Sequence, residues 1–309
     1  MRRRGGKDRS MATVGFIGVG NMGGPMAANL LAAGHRVRAF DLAEEAVARV
    51  VAKGGEAADD LGAAVREVDA VVTMLPAGRQ VAAAYLDEGG ILALAPRDAI
   101  LIDASTIDVA TSRTVHAAAA AAGHAKVDAP VSGGVGGAEA ATLTFMVGGG
   151  EAAVAAARPY LEVMGKRIVH TGEAGAGQAA KLCNNLILGI SMIGVAEAFV
   201  LADALGLDRQ KLFDVASSSS GQCWSLTSYC PAPGPVPGSP ANRDYAAGFS
   251  VDMMLKDLKL AAAAAAEGGS SAPLGAAAAQ LYQLLSDLGA GKKDFSFIIK
   301  MLEGNLQSK

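Results

Sequence analysis

Cysteine is scarce in this chain, with only Cys183, Cys223 and Cys230 in 309 residues. So few thiols in so long a chain make no disulfide framework and fit a reducing, intracellular setting. A surplus of one charge is also missing. The 27 Lys and Arg against 30 Asp and Glu leave a net charge of -3, which gives no basic footprint for nucleic acid. Charged residues make up 18% and hydrophobic residues 51%, a composition that builds a core and excludes a disordered chain. The length suffices for one large or two medium domains.

The first ten residues, MRRRGGKDRS, are basic and nearly free of apolar residues. They lack the apolar stretch of a signal peptide and are too short and too little amphipathic for a mitochondrial presequence. They read as an upstream start or an added segment outside the fold. With no targeting segment, the expected location is the cytoplasm of a bacterial cell, or the mitochondrial matrix in a eukaryote.

One run is long enough to span a membrane: LILGISMIGVAEAFVLADALGL, residues 186–207. It carries Glu197 and Asp203, and nothing else supports a membrane topology. A helix apolar nearly all round is also what the centre of a helical domain contains. The expectation is a buried helix and no membrane partner.

What the chain has in abundance is glycine at chosen places. TVGFIGVG reads as a short buried strand, MAANLLAAG as a helix stopping at Gly34, and HRVRAFD as a second strand ending in Asp41. Gly18, Gly20 and Gly23 stand between strand and helix in the G-x-G-x-x-G spacing. The first permits a tight turn, the second lets backbone approach a pyrophosphate, and the third lets helix and strand pack closely. The helix N-terminus adds free N–H groups and partial positive charge. A lone match is weak, because a glycine turn can be merely structural. Asp41, 18 residues past Gly23 at the end of the next strand, strengthens it. Its carboxylate accepts from a ribose diol and repels a 2′-phosphate, which favours NAD over NADP. Arg38, close in sequence, argues the other way.

Strand-like segments continue at 69–76, 99–106, 124–131, 143–149 and 167–172, with alanine-rich helical stretches between most of them. That alternation predicts a mostly parallel sheet covered on both faces, a Rossmann-type α/β domain over 11–174. Beyond residue 174 the pattern is helical: 176–206, 209–216, 251–267, 273–287 and a last helix near 294–303. A proline- and glycine-rich segment at 228–249 reads as an ordered irregular loop. The predicted architecture is α/β followed by an all-α domain over 175–309, with helix 176–206 joining them.

The chemistry is expected where the domains meet. In GAGQAAKLCNNLILG (175–189), Lys181, Asn184 and Asn185 fall at i, i+3 and i+4, on one helix face. Lysine usually marks a solvated face. Here an apolar segment follows and two amides accompany it, so burial would favour the neutral amine that a general base requires. Ser132, Gly133 and Gly134, just after a strand, offer a hydroxyl and unshielded N–H groups to a small carboxylate, where the plain alternative is a flexible loop. Lys256 and Asp257 interrupt an apolar helical face and by themselves read as an ordinary ion pair. No residues are assigned to a metal.

Five segments, GFIGVGNMGGPMAANL, DAST, DAPVSGGVGGA, GAGQAAKLCNN and MLKDLKLA, occur in the order and spacing of the β-hydroxyacid dehydrogenase family. The resemblance runs from residue 12 to about 303. Residues 217–249 especially resemble the branch that acts on 3-hydroxyisobutyrate. The resemblance implies NAD-dependent oxidation of that β-hydroxy acid to methylmalonate semialdehyde, in valine breakdown. The C-terminal helices, too rich in alanine and leucine to lie fully exposed, predict a homodimer or homotetramer. The resemblance also implies Lys181 as acid/base, Asn185 orienting substrate, and Ser132, Gly133 and Gly134 holding the carboxylate. Asn184 joins the substrate site, with Trp224 and Phe249 as its walls. Gly18, Val19, Gly20, Asn21, Met22, Gly23 and Asp41 hold the cofactor, Leu75, Pro76 and Thr106 line its nicotinamide side, and Lys256 approaches it. Asn184 stands where the sugar-phosphate branch has histidine. Ala141 stands where relatives often have glycine, which leaves substrate choice open among related semialdehydes (tartronate, glyoxylic, succinic). An imine reductase and a catalytically silent dinucleotide-binding scaffold are the more distant alternatives; Lys181 argues against both.

Overall fold

Strand β1 (Thr13–Ile17) lies at the centre of the first unit because its residues are apolar on both faces. It pairs in parallel with β2 (Arg36–Phe40) and β4 (Ala70–Thr73). Short β3 (Glu56–Ala57), which the sequence pattern did not signal, pairs with β2 at one edge. On the other side β5 (Ile100–Asp103) and β6 (Lys126–Asp128) continue the parallel order. Every residue of β4, β5 and β6 is buried.

Side-chain alternation divides these strands between two cores. Val14, Phe16, Val72 and Ile102 pack with Met26, Leu30 and Leu161 on one face. Ile17, Val71 and Leu101 pack with Val65, Val81, Tyr85 and Val115 on the other. Helices therefore cover both faces, as a parallel sheet requires. The computed structural model describes residues 11–305; the extension at 1–10 lies outside the described residues.

The expected strand over 124–131 is two strands. β6 ends at Asp128, and β7 (Val131–Ser132) pairs antiparallel with β8 (Leu143–Gly148). Pro130 lies between them. It has no N–H to continue a ladder, and its carbonyl accepts from Met146 instead (3.0 Å). β9 (Gly165–Gly172) closes the sheet in parallel with β8.

The helix Ala176–Ala204 follows. The chain divides into two compact units at Lys181/Leu182, inside that helix. The second unit is helical: Arg209–Ala216, Val251–Glu267 and Pro273–Leu285 match the expected spans closely. The last expected helix is shorter, Ile298–Leu302 after a 3-10 turn at Phe295–Phe297. Met192, Phe199, Met254, Leu258, Tyr282 and Ile298 form the core of this unit. By length and composition alone, Ala176–Ala204 could cross a membrane, its most apolar 18-residue stretch having a mean hydropathy of 1.9. Its residues Met192, Ala196 and Phe199 are fully buried within the helical unit.

The 228–249 segment is held by side chain–backbone bonds. Asn242 accepts from the Gly234 N–H and donates to the Val236 carbonyl, both at 2.8 Å. Tyr245 donates to the Pro231 carbonyl at 2.9 Å.

Ala141 has φ 54°, the left-handed region where a Cβ costs about 1–2 kcal/mol. The methyl group thus leaves the backbone in the form glycine prefers, and carries strain. Ala141→Gly should stabilise the protein by about 0.5–1 kcal/mol after glycine's greater unfolded-state entropy is subtracted. Thermal denaturation checks this: an unchanged or lower midpoint would mean the strain is absent.

Candidate functional site

The three fingerprint glycines are glycine for different reasons. At Gly18, with φ 86°, an added Cβ would collide with the Met74 carbonyl. At Gly23 it would collide with the Gly18 carbonyl and crowd the Phe16 ring. These two are demanded by the fold. A Cβ on Gly20 would meet nothing within 4 Å. Its absence serves no packing purpose and leaves the backbone open to something from outside, as a dinucleotide pyrophosphate requires. Val19, Asn21 and Met22 complete the turn, and Met22 precedes the helix Gly23–Ala32, whose first turn carries no acidic residue. That leaves the helix dipole available to an anion.

Asp41 braces this loop. One carboxylate oxygen accepts from the Val19 N–H (2.8 Å) and the other from the Ala43 N–H (2.9 Å). Each oxygen retains further acceptor capacity for a ribose hydroxyl. Arg38, the residue that clouded cofactor choice in the sequence, is occupied elsewhere. It donates to the Arg66 carbonyl at 2.7 Å and pairs with Glu56 at 3.6 Å.

The strand ends carry the next elements. Leu75 donates its N–H to the Ser105 hydroxyl (2.8 Å), which ties the Leu75–Pro76 turn to the DAST segment. Buried Gln178 brackets Thr106. It accepts from the Ile107 N–H at 3.0 Å and donates to the Ser105 carbonyl at 2.7 Å. Gln178 lies three residues before Lys181, so one amide fixes the turn at Thr106 to the helix that carries the lysine.

That helix is anchored by Asp128. Its carboxylate accepts from the N–H groups of Gly175 (2.8 Å) and Gln178 (2.9 Å) and from His116 Nε2 (2.9 Å). Burial opposes the charge, but His116, the Lys126 ammonium and the two backbone donors outweigh it and hold the carboxyl below its ordinary value. Gly177 permits the approach, since a Cβ there would strike the Met146 and Asp128 carbonyls. Lys181, six residues into the helix, is 6% exposed. In the same unit, half-buried Ser132 ends β7, and Gly133 and Gly134 follow with φ 135° and 63°. A serine hydroxyl and successive glycine N–H groups at a helix start suit a carboxylate.

The helical unit holds a second cluster. Asn185 is buried and donates Nδ2–H to Asp257 at 2.5 Å. A carboxylate only accepts, so the orientation of the amide is set. The Asn185 oxygen accepts from Asn184 at 3.0 Å. Lys256 pairs with the other Asp257 oxygen at 3.4 Å. The ion pair read from sequence is therefore present but not ordinary: Asp257 is 2% exposed and serves mainly to orient Asn185. Half-exposed Trp224 stacks on Tyr229, with centroids 4.8 Å apart, and Phe249 packs edge-on against Phe295.

Asp128, Gln178 and Asp257 were not assigned as site residues from sequence. Asp257 left a trace, as a charge at a position in register with Met254 and Ala261 on an apolar helix face. Asp128 and Gln178 sit inside motifs, but the partners that tie sheet to helix lie 47 to 73 residues away.

Comparison with known proteins places both units in described families. Residues 13–172 match the NAD binding domain of 6-phosphogluconate dehydrogenase. Residues 175–302 match the family described as NAD-binding of NADP-dependent 3-hydroxyisobutyrate dehydrogenase. A solved Mycobacterium tuberculosis 3-hydroxyisobutyrate dehydrogenase with L-serine is 51% identical, with a TM-score of 0.90, covering 94% of this chain and 99% of its own. The 3-hydroxyisobutyrate dehydrogenase of Pseudomonas aeruginosa is 50% identical over 95% of this chain and 99% of its own. An NAD-dependent L-serine dehydrogenase from the same organism is 47% identical over 95% and 98%.

The two kinds of glycine separate experimentally. Gly20→Ala should leave the melting temperature within about 2 °C and weaken NAD binding at least about tenfold, by obstructing the backbone's approach to the pyrophosphate. Gly23→Ala should lower the melting temperature by several degrees, because overpacking costs about 1–3 kcal/mol. Calorimetric titration with NAD and thermal denaturation of both variants check the pair.

Proposed function

We propose that this chain, which belongs to the 3-hydroxyisobutyrate dehydrogenase family, oxidises 3-hydroxyisobutyrate to methylmalonate semialdehyde with NAD as cofactor. The observation that carries the reading is a buried lysine on a helix tied by Asp128 and Gln178 to the strand ends of the dinucleotide-binding unit. Gly18 to Gly23 and Asp41 hold the cofactor, with Leu75, Pro76 and Thr106 at its nicotinamide side and Lys256 as a further contact. When bound, NAD supplies the hydride acceptor.

The chain supplies position and proton transfer. The Ser132 hydroxyl and the N–H groups of Gly133 and Gly134 hold the substrate carboxylate. Lys181, as the neutral amine, takes the hydroxyl proton as the carbon loses its hydride and then releases that proton to water. Asn185, oriented by Asp257, gives its remaining N–H to the reacting oxygen and holds that oxygen in place. Asn184, Trp224 and Phe249 shape the rest of the substrate site. In the reverse direction the same lysine, protonated, acts as the acid.

L-serine is the second reading, favoured by the serine-bound and serine-oxidising relatives. It has the same carboxylate and β-hydroxyl, with an ammonium in place of the methyl group. Turnover of both compounds side by side decides between them.

We also assign a homodimer or homotetramer. Ile187, Gly194, Ala198 and Leu201 fall at helical spacing on one exposed face of Ala176–Ala204, and Ile187 and Leu201 are 68% and 59% exposed. A continuous apolar face of small and aliphatic residues suits a second copy of the chain. We place the protein in the bacterial cytoplasm or, in a eukaryote, the mitochondrial matrix, in keeping with its three free cysteines. At micromolar concentration the mass in solution should be that of two or four chains; a monomer would overturn the assembly reading.

Lys181→Ala and Lys181→Met should lower kcat about 10²–10⁴-fold and leave the affinity for NAD nearly unchanged. Lys181→Arg should restore little, since a guanidinium stays protonated. Near-normal turnover in Lys181→Ala would sink the mechanism.

A further inference from the structure

We infer that Asp294 is a positioning residue for substrate selection: it fixes, through Tyr229 and the Phe249 backbone, the two aromatic side chains that shape the substrate site. This rests on the reading of Trp224 and Phe249 as walls of that site.

Asp294 is fully buried and far in sequence from every residue of the catalytic machinery. Its carboxylate receives five donated hydrogen bonds. Oδ2 accepts from the Tyr229 hydroxyl (2.8 Å), the Gly248 N–H (3.0 Å) and the Phe249 N–H (3.2 Å). Oδ1 accepts from the Ser296 N–H (3.0 Å) and hydroxyl (2.6 Å). Its own N–H donates to the Tyr245 carbonyl at 2.9 Å. The next residue, Phe295, donates its N–H to the Phe249 carbonyl at 2.9 Å.

Ring contacts extend this hub outward. Phe295 lies against Tyr229 (centroids 5.5 Å apart) and against Phe249 (5.7 Å). Tyr229 in turn carries Trp224, stacked at 4.8 Å with planes 20° apart. One two-residue step, Asp294–Phe295, therefore places both walls, one through a side-chain stack and the other through its backbone. Burial, and then the neighbouring carboxylate, push the Tyr229 hydroxyl above its ordinary value, so it stays protonated and donating. Gly248 keeps the space: a Cβ there would lie 2.7 Å from the Tyr229 hydroxyl oxygen.

A structural carboxylate alone would need no such arrangement at the exposed end. Trp224 is 51% exposed, so its place is not held by core packing. What fixes its angle is the stack on Tyr229, and what fixes Tyr229 is the bond to Asp294 together with the contact to Phe295. The groups shared by all β-hydroxy acids, the carboxylate and the hydroxyl, are met by Ser132 and Lys181. Discrimination at C2 is left to apolar walls, where one methyl group is worth about 10–200-fold. A wall that rotates freely loses that discrimination.

Three variants test this: Asp294→Asn, Tyr229→Phe and Gly248→Ala. Whichever way the new amide of Asp294→Asn turns, its NH₂ meets groups that donated to the carboxylate. Tyr229→Phe removes one bond only, and Gly248→Ala displaces the tyrosine without altering charge. In each, the KM for 3-hydroxyisobutyrate should rise about tenfold with kcat within about threefold and the KM for NAD unchanged. Preference for 3-hydroxyisobutyrate over 3-hydroxypropionate, which lacks the methyl group, should fall at least about threefold. Trp224 is the only tryptophan, so its near-ultraviolet circular dichroism and emission report the stack directly, and both should change in the variants before substrate is added. If Asp294→Asn does not fold, Tyr229→Phe decides. A lower melting temperature with unchanged KM, preference and tryptophan signals would overturn the inference. Wild-type protein that binds NAD but oxidises neither compound would instead defeat the functional reading, and the tryptophan signals would still judge the hub.

Discussion

A single carboxylate at the end of a strand joins the sheet to the helix that carries Lys181. Asp128 closes β6 and accepts from two of the unpaired N–H groups at the start of Ala176–Ala204. Such groups need partners when buried, and bonds to an ionised acceptor are worth about 1.5–3 kcal/mol each. The interaction fixes where the helix begins, and so which turn bears Lys181. Gln178 then fixes rotation about the axis, because its side chain must reach the Ser105 carbonyl and the Ile107 N–H together. The position of Lys181 is in this sense a consequence of buried polar bonding earlier in its helix.

The same region gathers other buried charge. Lys126 on β6 lies over the Tyr85 ring, 5.3 Å from its centroid, and its ammonium finds no hydrogen-bond acceptor among the described residues. Burial lowers its proton affinity, while Asp103 and Asp128 work to retain the proton. Asp103 in turn accepts from Thr73 (2.8 Å) and from the Ser105 N–H (3.2 Å). Removing one partner of a buried set leaves the others uncompensated, which is more costly than losing the whole set to apolar residues of like volume. The strand ends of β4, β5 and β6 are therefore coupled, and the turns at Leu75 and Thr106 inherit their rigidity.

What could be read from the sequence was what local spacing determines. Gly18, Gly20 and Gly23 with Asp41 stood out as a dinucleotide fingerprint because the motif is complete within one strand–helix–strand unit. Lys181 stood out because its helix is apolar around it. Asp257, Asp294 and Gln178 work with partners 65 to 73 residues distant, and neither periodicity nor composition carries such a distance. The break at Pro130 was missed for a different reason: the apolar run continues through it, and only the lost N–H interrupts the antiparallel ladder with β8 between Asp128 and Val131.

Division of labour follows from chemistry. Any β-hydroxy acid offers the same carboxylate and the same alcohol, so on the proposed reading Ser132 and Lys181 would serve one substrate as well as another. On the same reading Asp41 and the glycine loop would meet only the cofactor. The residues that tell a methyl group from an ammonium must therefore be different ones, and must be held as firmly as the base. A methyl group is recognised by shape alone, with no bond to set direction, so its recognition is only as sharp as the wall is rigid. Aromatic side chains meet that demand at low entropy cost when their planes are fixed by stacking and by a buried acceptor beneath them. The helical unit supplies such an acceptor in Asp294, just as the α/β unit supplies Asp128 at the start of the helix that carries Lys181.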